Sequence, residues 1–155
     1  MSPVIRIGTA VAIVAALASC FGPEDDRPGM RLSGEVVNAV PSDWSFTNEH
    51  KEIAIEVQTP YFLPHSVTIW CAEVDGELYV GARDPETKHW PGWVDGKPDV
   101  RLGIGPKVYE VRLDPLDDPK RIDRVRQAYG SKYDLPQTPP GEGPPIRYWR
   151  VAPRA

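Results

Sequence analysis

The side chains best suited to hold a charged ligand are concentrated in one short stretch, from Arg83 to Trp93. Arg83 and Lys88 can donate charge-assisted hydrogen bonds to a phosphate, and an arginine can grip such a group with two parallel bonds. Thr87 adds a hydroxyl group, and Trp90 adds a flat apolar surface. A loop that combines polar donors with aromatic walls is a natural binding site, so we expect an anionic ligand here.

Each of these residues also has a purely structural interpretation. Arg83 and Lys88 would serve equally well as solvated charges at the rim of a domain. Trp90, together with Trp70 on an earlier strand, would serve equally well as a core residue. Other site chemistry is not indicated, because the three histidines (His50, His65 and His89) lack metal-ligand spacing. The sequence also contains no Gly-x-Ser-x-Gly elbow and no P-loop.

A different kind of chemistry is indicated at Cys20. A short basic start with Arg6 is followed by an apolar run from Ile7 to Leu17, which is typical of an export signal. The tetrad Leu17-Ala18-Ser19-Cys20 resembles the lipobox of bacterial lipoproteins. This resemblance implies cleavage before Cys20, acylation of its thiol with palmitate or a similar chain, and a membrane anchor on the outer side of a membrane of the cell envelope. An uncleaved anchor or a secreted protein with a coincidental cysteine are the alternatives.

These features divide the chain into three predicted parts: a signal peptide (1–19), a lipidated cysteine with a flexible tether (20–30), and one folded domain (31–155). The tether is dense in proline, glycine and acidic residues, which cannot build a core. Removing residues 1–19 removes one charge, Arg6, from 18 basic and 22 acidic side chains, so the mature chain has a net charge of −5. Nucleic acid is therefore not expected as a partner.

The domain is expected to be rich in β-structure, because short apolar runs alternate with turn signals. Ile53, Ile55 and Val57 share one face of a predicted strand whose other face carries Glu52, Glu56 and Gln58. Asp75-Gly76 separates the runs 66–74 and 77–83 and suits a two-residue type I′ hairpin. A second hairpin, 99–104 with 107–113, and a last strand, 146–151, are also predicted. The run 31–38 is a predicted first strand, and 84–93 is a predicted loop with at most one helical turn.

One helix, 117–130, is predicted near the C-terminus. Asp118 and Pro119 are favourable start signals, and Gly130 is a reasonable stop. Its packing face is the stripe of Ile122, Val125 and Tyr129. Cys71 lies within an apolar strand and is interpreted as a core residue rather than a nucleophile. The sequence thus predicts a mainly β, α+β domain: a six- to seven-stranded antiparallel barrel with one covering helix.

The order of these pieces resembles the flavin-binding split-barrel superfamily, which includes pyridoxamine 5′-phosphate oxidases and deazaflavin-dependent nitroreductase-like proteins. The resemblance runs from His65 to Tyr133, through the Asp75-Gly76 turn, the Lys88-His89-Trp90 loop and Lys97-Pro98-Asp99-Val100. The last element lacks the asparagine that is usual in the superfamily. The resemblance implies a split barrel, a homodimer with the cofactor between subunits, and a flavin- or deazaflavin-dependent oxidoreductase activity.

The resemblance also implies site residues. Arg83, Thr87 and Lys88 match the positions that hold the flavin phosphate, and Trp70 and Trp90 could flank the ring system. No catalytic residue is assigned. Two alternatives remain open: FMN as the cofactor, or no cofactor at all. In the second case the protein is a non-enzymatic envelope lipoprotein whose barrel binds a small ligand or a protein partner, because fold alone does not determine function.

Overall fold

The computed structural model describes residues 28–155, which form eight β-strands and two α-helices. The strands are β1 (Glu35–Val37), β2 (Ile53–Gln58), β3 (Pro64–Ile69), β4 (Cys71–Val74), β5 (Glu77–Arg83), β6 (Asp99–Ile104), β7 (Lys107–Pro115) and β8 (Ile146–Ala152). The helices are α1 (His89–Gly96) and α2 (Pro119–Tyr133). The predicted signal peptide, Cys20 and the tether as far as residue 27 lie outside the described residues.

The strands form one curved sheet in the order β3-β2-β6-β7-β8-β5-β4, with β1 added parallel to β7. All other pairs are antiparallel. The two edge strands, β3 and β4, are consecutive in the chain and are separated only by Trp70. The edges of the sheet therefore meet at Trp70 and diverge from it, which is the architecture of a split barrel.

This architecture confirms the predicted fold class, with differences in detail. The run 66–74 is not one strand, because its first half pairs with β2 at one edge and its second half pairs with β5 at the other. The chain must turn a corner between these pairings, and it does so at Trp70. The first strand is shorter than the predicted 31–38 and pairs in parallel with β7. The described part of the chain consequently has eight strands rather than six or seven.

The barrel interior is filled as the alternation of β2 predicts. Ile53, Ile55 and Val57 are buried, as are the matching apolar residues of β6 and β7. The opposite face of β2 is not open to water as expected, because the segment around Leu32 crosses it. Glu56 is only 8% exposed; it accepts a hydrogen bond from the Leu32 amide at 2.7 Å and forms an ion pair with Arg101 at 2.6 Å.

Both hairpins are confirmed. At the Asp75-Gly76 turn the φ angles are +56° and +81°, the left-handed values that a type I′ turn requires. The β6–β7 hairpin turns at Gly105-Pro106, and its register pairs Ile104 with Lys107. The second strand of this hairpin continues to Pro115, two residues beyond the predicted end.

The predicted C-terminal helix is confirmed as α2, and its start at Pro119 is capped by the Asp118 carboxylate, which accepts from the Lys120 amide. Gly130 does not end the helix. It lies buried inside α2, which continues to Tyr133 and ends at Asp134 in a left-handed conformation. The helix packs on the outer face of the sheet through Val125 and Tyr129, with Ile122 half-buried beside them.

The segment 84–93 is more helical than predicted. A short 3₁₀ turn (Pro85–Thr87) is followed by α1, which buries Trp90 and Val94 one helical turn apart. Pro91 lies in the first turn of α1, where its missing amide hydrogen is not needed. The four-residue spacing of Trp90 and Val94 was a sequence signal for this helix. Cys71 is fully buried in the barrel core, which confirms its interpretation as a core residue.

Candidate functional site

A cavity of ≈ 840 Å³ lies in the split between the diverging edges of the sheet. Its walls come from β3, the Trp70 corner, the end of β5, the start of α1, the middle of α2 and residues 135–138. The volume falls within the range of typical small-molecule sites, roughly 300–1,000 Å³. The break between β3 and β4 at Trp70 forms the corner of the barrel. The cavity lies beyond this corner, where the two edges of the sheet separate.

Four of the five predicted site residues line this cavity: Trp70, Arg83, Lys88 and Trp90. Arg83 ends β5 and is highly exposed, with its Nε 3.5 Å from the carboxylate of Asp84. The Lys88 ammonium donates a hydrogen bond to the backbone carbonyl of Arg83, which holds the Lys88 side chain at the end of β5, where Arg83 also lines the rim of the cavity.

Thr87, the fifth predicted residue, does not line the cavity. Its hydroxyl donates to the carbonyl of Asp84 at 2.7 Å and closes the 3₁₀ turn after β5. The structure therefore gives the Thr87 hydroxyl a local backbone partner, and it lies apart from the rim formed by Arg83 and Lys88.

The two tryptophans have different environments. Trp70 is 42% exposed, and one face of its indole ring stacks on Tyr133 with centroids 4.2 Å apart. Trp90 is buried and packs against Trp149 at 5.1 Å, so it contributes to both the cavity wall and the barrel core. Trp70 is thus the more accessible aromatic surface for a ligand ring.

Sequence reasoning missed further polar residues of the cavity, notably His65 and Arg126, whereas His89 belongs to the loop where a ligand was expected. Burial lowers the pKa of His65, and the nearby His89 lowers it further. Arg126 on α2 lines the cavity and forms an ion pair with Asp123 at 3.0 Å. Glu52 is the single carboxylate among the lining residues, so the cavity carries a positive balance in an acidic protein.

The α2 wall of the cavity contains a buried tyrosine. The Tyr129 hydroxyl donates to the carbonyl of Trp70 at 2.9 Å, which ties α2 to the corner of the barrel. Burial raises the pKa of Tyr129 well above its usual value, so the phenol stays protonated at neutral pH. A Cβ at Gly81 on β5 would lie 3.0 Å from the Tyr148 ring and 3.4 Å from the Tyr129 hydroxyl, so this glycine leaves room for Tyr148 beside Tyr129.

Among residues 28–155, no group of three or more His, Cys, Asp or Glu side chains is placed to bind a metal ion. In the same part of the chain, no helix has the length and apolar character needed to cross a membrane.

The fold is a split barrel, and it is similar to the folds of several solved structures. The conserved hypothetical protein Rv2991 of Mycobacterium tuberculosis has a TM-score of 0.56 at 17% identity, over 79% of this chain and 87% of that one. A candidate pyridoxamine 5′-phosphate oxidase from Listeria innocua gives 0.53 at 17% identity, over 72% and 90%. A candidate 5-nitroimidazole antibiotic resistance protein from Bacteroides thetaiotaomicron gives 0.57 at 11% identity, over 83% and 88%.

Residues 46–140 match the family described as "Uncharacterized protein conserved in bacteria (DUF2255)". Since the match spans more than half of the chain, this protein belongs to that family. No curated protein matches the sequence significantly. The family region contains the whole rim from Arg83 to Trp93 and all of α2.

Proposed function

We propose that this chain is a bacterial envelope lipoprotein, anchored through Cys20, whose barrel binds a flavin such as FMN and acts as an oxidoreductase. The observation that carries the flavin proposal is the cavity in the split, where Arg83, Lys88 and Trp70 lie on adjoining walls. The anchor rests on the Leu17-Ala18-Ser19-Cys20 tetrad behind a short apolar run. A homodimer is part of the proposal only by resemblance.

The donor set of the cavity fits a flavin phosphate. Arg83 and Lys88 both line the rim, and Arg126 adds a third cation to a lining that has one carboxylate, Glu52. Three cations against one anion attract a phosphate, even though the chain as a whole is acidic. The exposed indole of Trp70 offers an apolar surface for one face of a ring system.

A bound flavin would supply hydride and electron transfer. The chain's own residues bind and position it: Lys88 and Arg83 hold the phosphate, and Trp70 packs against the ring. Tyr129 supports Trp70 from behind, because its hydroxyl donates to the Trp70 carbonyl. His65 stays neutral at pH 7 because its pKa is lowered, so it adds no charge to the cavity wall.

One observation favours the second candidate, a non-enzymatic lipoprotein that has lost the cofactor. Each cation of the cavity already has a partner within the chain: Arg83 faces Asp84, Lys88 donates to a carbonyl, and Arg126 faces Asp123. A phosphate would have to compete with these contacts. Under this alternative the same cavity binds a small ligand that is less strongly charged.

Titration of the purified full chain with FMN and with riboflavin distinguishes the flavin-dependent oxidoreductase from the non-enzymatic lipoprotein. If the flavin proposal is correct, FMN binds more tightly than riboflavin, and Lys88→Ala weakens FMN binding about ten- to a hundred-fold by removing a charge-assisted hydrogen bond. Arg83→Ala has a similar effect. Thr87→Ala is the matched control, because Thr87 lies on the same loop but outside the cavity, and it should leave the affinity unchanged.

The possible results of this titration distinguish the two candidate functions. A wild-type chain that binds neither flavin contradicts the cofactor role and supports the second candidate. Equal binding of both flavins, unaffected by either rim substitution, would place the phosphate outside the Arg83–Lys88 rim. A yellow protein with reductase activity that disappears in Lys88→Ala supports the oxidoreductase.

A further inference from the structure

The turn between β2 and β3 exposes three consecutive apolar side chains, Tyr61, Phe62 and Leu63, which we call the apolar tip. Their exposed fractions are 60%, 78% and 53%. Single exposed apolar residues are ordinary, whereas a contiguous group on a projecting turn marks an interaction surface. The apolar tip lies outside the cavity lining and has no part in the function proposed above.

The backbone holds the apolar tip rigidly. The Thr59 hydroxyl donates to the Leu63 carbonyl at 2.7 Å and accepts from the Leu63 amide at 3.2 Å, and the Phe62 amide donates to the Thr59 carbonyl at 3.2 Å. Phe62 itself has a φ angle of +65°. A bulky side chain in this left-handed region is a genuine outlier, and strain of this kind concentrates at functional sites.

The surroundings of the apolar tip suit a membrane interface. Tyr61 packs edge-on against Trp93 at 6.3 Å, and the Lys97 ammonium lies 4.9 Å from the centre of the Phe62 ring. Tyrosine, tryptophan and lysine are the residues that populate the headgroup region of a bilayer, beneath which a Phe and a Leu can insert. The carboxylate of α1 nearest in sequence to Lys97, Asp95, is paired with Arg147.

The point at which the described chain enters the fold lies close to the apolar tip. The described chain enters the fold at Gly29, which exchanges two backbone hydrogen bonds with Ser66, three residues along from Leu63. Eight residues, 21–28, separate Cys20 from this entry point, a reach of at most about 32 Å. A domain held so closely by an acylated Cys20 keeps the apolar tip within reach of the bilayer.

We propose that the apolar tip inserts into the membrane interface and orients the domain on the lipid surface. This proposal rests on the proposed lipid anchor and is independent of the flavin. Lipid chains hold a protein at a membrane without fixing its orientation, whereas an apolar turn on a rigid barrel supplies a second point of contact.

The test uses the full chain in its processed form, reconstituted in vesicles of phosphatidylcholine and phosphatidylglycerol. Phe62→Cys is labelled with a polarity-sensitive fluorophore, and nitroxide lipids serve as quenchers. Lys107→Cys is the matched control: it lies in the exposed β6–β7 turn, which the β2–β6 register places at the opposite end of the strands, more than about 17 Å away. Cys71 is fully buried, which protects it from the label.

We expect a blue shift and at least twofold stronger quenching at position 62 than at position 107. A vesicle-bound, acylated protein in which both labels behave alike overturns the membrane contact and leaves the anchor intact. A Cys20 that carries no acyl chain contradicts the anchor and with it the membrane contact. A label at position 62 that is already shielded in detergent, where the chain dimerises, would assign the apolar tip to a second copy and also overturn the proposal.

Discussion

The indole ring of Trp70 lies almost parallel to the phenol ring of Tyr133, with centroids 4.2 Å apart and an angle of 7° between the planes. Trp70 is the corner at which the sheet changes from one edge to the other, and Tyr133 is the last residue of α2. The Tyr133 hydroxyl accepts from the Cys71 amide at 3.0 Å and donates to the Lys51 carbonyl at 2.7 Å. The end of the helix therefore holds the corner in place.

The first prediction concerns the hydroxyl of Tyr133. Tyr133→Phe keeps the ring stacked on Trp70 but leaves the Cys71 amide and the Lys51 carbonyl without this partner. We expect the free energy of unfolding to fall by about 1–2 kcal/mol, measured by urea denaturation. Tyr61→Phe is the control, because Tyr61 is exposed on a turn and its change should stay within about 0.5 kcal/mol. Equal effects of the two substitutions would contradict the role of the Tyr133 hydroxyl.

The second prediction concerns the packing face of α2. Val125 is fully buried against the sheet, whereas Ile122 is half-buried at the edge of the same cluster. Val125→Ala should therefore cost about 2 kcal/mol of stability, and Ile122→Ala about 1 kcal/mol, although isoleucine loses more atoms. Urea denaturation of the two variants under the same conditions tests whether Val125→Ala loses more stability than Ile122→Ala. A larger loss for Ile122→Ala would mean that α2 packs in a different rotation.

The elements that could be predicted are those fixed by neighbouring residues. Asp75-Gly76 specifies its hairpin because both positions need a positive φ angle, and Asp118-Pro119 specifies the start of α2 because the cap and the first helical position are adjacent. The strand β2 was recognisable from its own alternation. These signals require no knowledge of where the rest of the chain lies.

The features that could not be predicted depend on distant contacts. Trp70 lies between two apolar runs that look like one strand, and the break becomes visible only once β3 and β4 are seen at opposite edges of the sheet. Glu56 looks solvent-facing by alternation, yet Arg101 and Leu32 cover it. Arg126 belongs to the cavity because α2 lies beside the split, which its helical position alone does not indicate.

The third prediction concerns Cys20. Cys20→Ala should leave a full-length precursor that carries no lipid, because the thiol is the acceptor of the acyl chain in the proposed anchor. Metabolic labelling with a fatty-acid analogue, followed by electrophoresis, measures both the mass and the label. Cys71→Ala is the control, because the buried Cys71 should take no acyl group and its loss should leave processing unchanged. Label that persists in Cys20→Ala would contradict the proposed anchor.

The last prediction concerns acid stability and Asp75. Hydrogen bonds from Arg124 and Arg121 hold the pKa of Asp75 at about 2, below its ordinary 3.8. Since the unfolded chain binds a proton at higher pH than the native state does, the stabilisation is fully present above pH 4 and is lost as the pH falls from about 4 towards 2. Asp75→Asn removes the charge and suits the left-handed turn. The stability of this variant should therefore decline less steeply than that of the wild type between pH 4 and pH 2. Urea midpoints at a series of pH values measure this decline.

Asp134 provides the matched control for this comparison. It also has a left-handed backbone, with φ of +53°, but within the described residues its side chain forms no ion pair with Lys, Arg or His. Asp134→Asn therefore repeats the change from carboxylate to amide without removing a salt bridge, and its pH profile should follow that of the wild type. If the stability of Asp75→Asn falls with pH as steeply as that of the wild type, the contacts of Asp75 with Arg121 and Arg124 contribute nothing to the acid sensitivity of the fold.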